Sequence, residues 1–395
     1  MRSLSFLAFV ILTFCCWGIY GPVLHLGQEA MGEGPKALSS LRPFICVGVA
    51  YFLIAVVYPL IVLYTKGENG NWSATGFIWS FVAGAIGAIG ALGIILAFKF
   101  QGKPVYVMPL VFGLAPIVNT FVTMAMAGTF KQASMKFYLA ILVVAIGAAG
   151  VLTFKPKAPQ KAPVDSTTEH LTEVVFQSDN VEERPTEEQA TEDSSAGETA
   201  VASSESAKDA DAQKAASSTP AGEVPKDKPT GNPWLIAACI AVTALSWGAY
   251  GPVLHKGQAK MGGSRLRPFL CVGLAYFAIA VIVPILLSGQ FVEPGGWNMT
   301  GSIWSLLAGA AGAIGALGII YAFNFGGKPI FVMPLVFGFA PVVNTLTETF
   351  SKNLIGNVST NFIISLSMVI VGAVMVLVFA PRGPKPKPAN EPAIT

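Results

Sequence analysis

The sequence predicts an all-α polytopic membrane protein: ten transmembrane helices arranged as two inverted five-helix repeats, joined by a disordered acidic linker. Three observations lead there. Over 395 residues, 53% of side chains are hydrophobic, only 12% are charged and the mean hydropathy is +0.60, too apolar and charge-poor for an ordinary soluble protein. Charge is also segregated, with 16 of the 22 acids but only six of the 25 Lys and Arg in residues 158–231. Finally, the chain repeats itself. WGIYGPVLHLGQ from Trp17 answers WGAYGPVLHKGQ from Trp247, and residues 72–120 match 297–345 at 36 of 49 positions without a gap. These features exclude nucleic-acid binders, secreted disulfide scaffolds and soluble dinucleotide-binding enzymes. Cys15, Cys16, Cys46, Cys239 and Cys271 all fall in apolar runs without a CxxC pair, as small buried hydrophobes do.

Each copy reads as five apolar spans long enough to cross a hydrocarbon core of about 30 Å. In the first repeat, residues 1–157, they are expected at 4–26, 42–64, 74–98, 104–127 and 136–154. In the second, residues 232–382, they are expected at 234–256, 267–288, 300–323, 329–349 and 360–380. The first span is retained rather than cleaved as a signal peptide, because its Trp-Gly element recurs in mid-chain. Five crossings hand the next module to the opposite face, so the copies insert upside down relative to each other. Outside the linker and its flanks, 12 Lys and Arg lie on the side of the N-terminus and five on the other. This places both termini in the cytoplasm and the linker outside. The expected location is a plasma membrane, namely a bacterial inner membrane. Residues 158–231, rich in Ala, Ser, Thr, Glu and Pro, read as an extended, passive tether, and residues 383–395 as a basic, Pro-rich tail.

Within this frame, a few polar and helix-breaking residues stand out. The fourth and ninth spans hold MPLVFGLAPIVNT and MPLVFGFAPVVNT, with Pro109 and Pro116 matched by Pro334 and Pro341. Seven-residue spacing puts both prolines on one face and frees the carbonyls four residues earlier, which predicts broken helices around a cavity. Asn119 and Asn344, with Thr120 and Thr345 beside them, fall on that face; they either line the cavity or cap freed carbonyls. In the third and eighth spans, Gly84, Gly87, Gly90 and Gly93 answer Gly309, Gly312, Gly315 and Gly318. Such rows let helices approach to backbone contact. Trp17 with Tyr20, and Trp247 with Tyr250, share a face as ligand platform or interfacial anchors. His25 and His255 follow, as proton relay, symmetric gate or headgroup-level residues. Arg42 and Arg267 open the second and seventh spans. A cation there opposes the helix dipole and needs a compensating carboxylate, phosphate or carbonyl, with an anionic substrate group or a lipid headgroup as the candidates. Glu348 is the one acid placed inside a span, a candidate for proton coupling whose counterpart is Thr123.

The five-plus-five organisation, Trp17-Gly18 and Trp247-Gly248, Arg42 and Arg267, Ala97 and Ala322, and Pro116 and Pro341 together resemble the EamA-type family of the drug/metabolite transporter superfamily. The resemblance covers nearly all of both repeats. It implies a secondary transporter whose two inverted bundles enclose a central cavity and alternate its access between faces. The chain departs from the family in carrying His25 and His255 where many members have a lysine, in lacking the frequent Gly-Glu after the fourth span, and in its long acidic linker. The expected function is carriage of a small polar or amphipathic metabolite, with a non-transporting scaffold or sensor as the alternative. The expected partners are that solute and membrane lipid, not nucleic acid; no cofactor, metal or catalytic group is expected.

Overall fold

The computed structural model describes residues 5–156, 231–290, 292–325 and 329–381, without the side chains of Asn324, Pro329, Ile330, Phe331 and Pro334. The linker up to residue 230 and the tail 383–395 lie outside the described residues. The described chain is all-helical. Its helices are α1 Ser5–Met31, α2 Leu41–Thr65, α3 Ala74–Lys99, α4 Pro104–Ala127, α5 Met135–Thr153, α6 Pro233–Lys260, α7 Leu266–Leu287, α8 Met299–Asn324, α9 Pro329–Ser351 and α10 Thr360–Phe379. Among the described residues, nine of these, all but α9, are long and apolar enough to cross a membrane.

Local sequence sets most of the starts. Ser73, Ser134, Asn298 and Ser359 each accept the amide three residues on, and Asn232 those of Trp234 and Leu235, satisfying N–H groups that lack helical partners. Pro104 and Pro233 occupy first helical positions, where a missing N–H costs nothing. Outward faces carry large exposed apolar side chains, among them Leu60, Ile61, Leu142, Leu245, Leu286 and Ile364. In water such a belt is a liability; in hydrocarbon it is matched.

Packing runs between the repeats. Helix α1 packs most extensively on α8 and then α9, and its counterpart α6 on α3 and then α4; α2 pairs with α8 as α7 does with α3, while α5 pairs with α10. Each of these contacts of one repeat on the other thus recurs with the roles exchanged. The glycine rows make this close approach possible: a Cβ on Gly84 would stand 2.6 Å from Val272 Cα, and one on Gly309 2.7 Å from Val47 Cα.

Helices α2 and α7 each contain a π turn, Leu53–Val57 and Ala278–Ile282, at matched positions. Pro59 and Pro284 follow two residues later. Each lacks an N–H and crowds the carbonyl four residues earlier, and the wider turn absorbs the mismatch: Tyr58 N–H reaches Leu53 O, and Val283 N–H reaches Ala278 O. The two turns face each other's small residues, Gly48 against Ala280 and Gly273 against Ala55.

One expectation is corrected. Helices α4 and α9 run without interruption through Pro109, Pro116, Pro334 and Pro341, rather than breaking. Each proline removes a single hydrogen bond, and neighbouring helices hold the rest of the ladder in place.

Candidate functional site

The helix pairs converge on a cavity of about 90 Å³ whose walls are almost wholly aromatic. Its lining comes in repeat-matched pairs: Trp17 and Trp247, Tyr20 and Tyr250, Tyr51 and Tyr276, Phe112 and Phe337, Gly87 and Gly312. Among the described residues no charged side chain lines it.

Sequence holds these rings in place through glycine. A Cβ at Gly90 would overlap the Trp247 indole, and one at Gly315 that of Trp17. With only hydrogen there, the Cδ1–Nε1 edge of each indole fits against the facing helix, where Trp17 Nε1 donates to Gly312 O and Trp247 Nε1 to Gly87 O, both at 3.2 Å. One turn away, Thr13 Oγ1 donates to Gly315 O at 3.1 Å and Thr243 Oγ1 to Gly90 O at 3.2 Å. Tyr51 and Tyr276 stack on each other across the repeat axis, centroids 3.8 Å apart and planes 3° from parallel. Phe112 and Phe337 meet edge to face at 6.3 Å. Tyr20 packs its edge on Trp247 at 6.1 Å, and its hydroxyl is buried with no partner among the described residues. A buried, unpaired hydroxyl is costly, and a ligand's polar group would relieve it.

The predicted aromatic residues therefore come together, whereas the asparagines stand off the cavity. Asn344 is buried, donating Nδ2 to Pro104 O at 2.9 Å and leaving Oδ1 without a partner among the described residues. Half-buried Asn119 accepts from Thr123 Oγ1 at 3.4 Å. Thr120 returns its hydroxyl to Pro116 O at 2.9 Å, and Thr345 Oγ1 is buried with no partner among the described residues.

The arginines sit at the two ends of the bundle, where their compensating groups come from the other repeat. Helix α2 has no side-chain cap of its own. Instead Glu293, in the loop before α8, accepts from Ser40 N (2.9 Å), Ser40 Oγ (2.6 Å), Leu41 N (2.7 Å) and Ser39 Oγ (3.1 Å). Arg42 Nη1 donates to Pro294 O at 2.9 Å. At the opposite end, Glu68 accepts from Ser264 Oγ (2.5 Å), Arg265 N (3.0 Å) and Leu266 N (3.2 Å), with Arg267 Nη1 at 3.7 Å from its carboxylate. Burial raises the Glu293 carboxyl, but the Ser40, Leu41 and Ser39 donors outweigh it and hold the group below the usual glutamate range.

The two ends differ in access. Around the Glu293 end of α1, Gly21, Pro22, Leu24 and His25 are buried; in α6, Pro252 and Leu254 are half-buried, and Gly251 and His255 exposed. In the same sense Asn344 and Glu348 are buried, while Asn119 is half-buried and Thr123 exposed. The cavity is thus sealed toward the Glu293 end and accessible toward the Glu68 end. Neither models of known protein families nor curated proteins match the chain.

Proposed function

We propose that the chain is a secondary carrier of the EamA type. In this reading all ten helices cross the membrane as two inverted modules, and rocking of one against the other moves a small polar or amphipathic metabolite. The observation that carries it is the aromatic cavity on the axis between the repeats, closed at one end and open at the other. Sequence-matched walls with unequal ends are what an alternating-access carrier presents when caught on one side. The antiparallel threading has its own support: Glu293 caps the start of α2 where α1 ends, and Glu68 caps the start of α7 where α6 ends. With both termini cytoplasmic, the accessible Glu68 end faces the cytoplasm.

The walls favour a solute with a flat or weakly solvated apolar portion, because six tyrosine and tryptophan rings present faces and edges and no counter-charge. Tyr20 Oη supplies one polar contact. A test begins with a thermal-shift screen of the reconstituted chain against a metabolite library, since a ligand of the folded state raises apparent stability. Counterflow of the best stabiliser in proteoliposomes should then be lost in Trp17→Ala and Trp247→Ala with insertion unchanged. Undiminished counterflow in both variants would remove the cavity from the transport path.

A further inference from the structure

A polar ladder crosses the interface of α1 and α9 at the sealed end. Along α1, Gly21, His25 and Glu29 recur every fourth residue, as Asn344 and Glu348 do along α9 and Lys352 just past its end, so each set forms one stripe. Two contacts fix their register. Asn344 Oδ1 lies 3.1 Å from the place a Cβ on Gly21 would take, and Lys352 Nζ pairs with Glu29 at 3.1 Å. Glu348 is thereby set across from His25, with 3% of its surface exposed. His25, 1% exposed, holds Nδ1 3.2 Å from Glu29 Oε1, off the hydrogen-bonding line, and its Nε2 has no partner among the described residues.

Among the described residues the charges facing Glu348 are Lys352 just past the end of its own helix, Glu29 on α1 and Lys103 at the start of α4; His25 faces the same three. Lys352 gives its ammonium to Glu29, and among the described residues Glu348 forms no ion pair. The charged members of the ladder do not recur at the open end. There the counterparts of Glu29, Glu348 and Lys352 are Ala259, Thr123 and Ala127, and His255 is exposed. The repeats match closely elsewhere, so the difference singles out the sealed end.

We propose that Glu348 is a proton-binding site that gates this end: protonated it holds the end shut, and ionised it lets the end open. The proposal rests on the alternating-access reading above. A carboxyl shut into a dry interface beside Glu29, with the nearest cation already engaged, is accommodated as the neutral acid. When the end opens, water solvates the anion. Closure therefore takes a proton from water at that face and opening returns it. On the cavity side of this rung lie Gly21 and Asn344, one turn nearer the Tyr20 wall.

The test uses the full-length chain in proteoliposomes and needs no substrate. Infrared spectra across a pH titration should show a carboxylic-acid C=O band that disappears as pH rises, and that is missing in Glu348→Gln. In parallel, hydrogen exchange of peptides covering residues 18–31, corrected for intrinsic rate, should accelerate above the same transition in the parent chain and stay slow in Glu348→Gln. Should that variant fail to fold, Lys352→Gln keeps the carboxyl while removing its nearest cation, and the transition should move to higher pH. A band retained in Glu348→Gln, an unchanged exchange response, or an unmoved transition in Lys352→Gln overturns the proposal. A proton-gated opening without counterflow of any solute would uphold the site and retire the carrier reading. Counterflow with no Glu348-dependent proton response would do the reverse.

Discussion

Replacing Gly90 or Gly315 with alanine tests the cavity wall at its most constrained point. Each added methyl falls on an indole that is already bonded to the facing helix. Forcing a side chain out of a packed interface costs roughly 1–3 kcal/mol, and leaving the buried indole N–H unpaired adds about 1–3 kcal/mol. Alanine returns about 1 kcal/mol of helix propensity over glycine. The net expectation is a loss of about 1–5 kcal/mol for either variant, seen as a Tm several degrees lower in detergent or lipid. Altered tryptophan emission should accompany it as Trp247 or Trp17 leaves its seat. Gly289, where a Cβ meets nothing within 4 Å, is the control, and Gly289→Ala should stay within ~0.5 kcal/mol of the parent. If Gly90→Ala and Gly315→Ala are no more destabilising than that control, the glycine rows are not seats for the indoles.

Further expectations concern the ends and the polar side chains. Glu293→Gln should lower Tm at neutral pH. Because the Glu293 carboxyl is held below its usual range, its contribution is fully present above the ordinary glutamate range and fades as pH falls through the folded value. The Tm gap between parent and variant should therefore close on acidification; a gap independent of pH would refute the cross-repeat cap. Asn344→Ala breaks the bond to Pro104 O and should cost about 1–3 kcal/mol; Asn119→Ala should cost less, as comparative thermal melts will show. If Asn344 also serves transport, counterflow should fall in that variant at temperatures where it remains folded. Tyr20→Phe deletes an unpartnered buried hydroxyl, so Tm should hold or rise while the stabilising shift from a bound ligand shrinks. A lower Tm with an intact ligand shift would show that Tyr20 Oη serves the fold and not a ligand.

Much of this architecture was legible in the sequence because lipid restricts the choices. Apolar length places spans, since every backbone group must be satisfied within its own helix, and the observed helices fall within a few residues of the expected spans. The duplication announced that whatever one repeat does, the other does at a fixed offset. Trp17, Tyr20 and their partners were visible as a shared face, while Tyr51, Tyr276, Phe112 and Phe337 were not, although their matched positions at an offset of 225 would have flagged them. The glycine rows were read as helix contacts, and Gly84 and Gly309 serve as such. That Gly90 and Gly315 seat indoles from the other repeat could not be read locally, because nothing near them in sequence requires it. Pro109 and Pro116 suggested a break that packing removes.

Sequence by itself thus determined the material of the protein, its helices and its twofold internal repetition, because these follow from hydrophobicity and covalent order. Tertiary structure alone decided which group answers each arginine, which end is sealed and which polar residues meet. Glu293 lies about 250 residues from the helix it caps, and His25 more than 320 from Lys352, with which it shares Glu29. Contacts over such separations arise only when two folded repeats are laid against each other. The near-identity of those repeats hides, in one dimension, the few substitutions that make their two ends unequal.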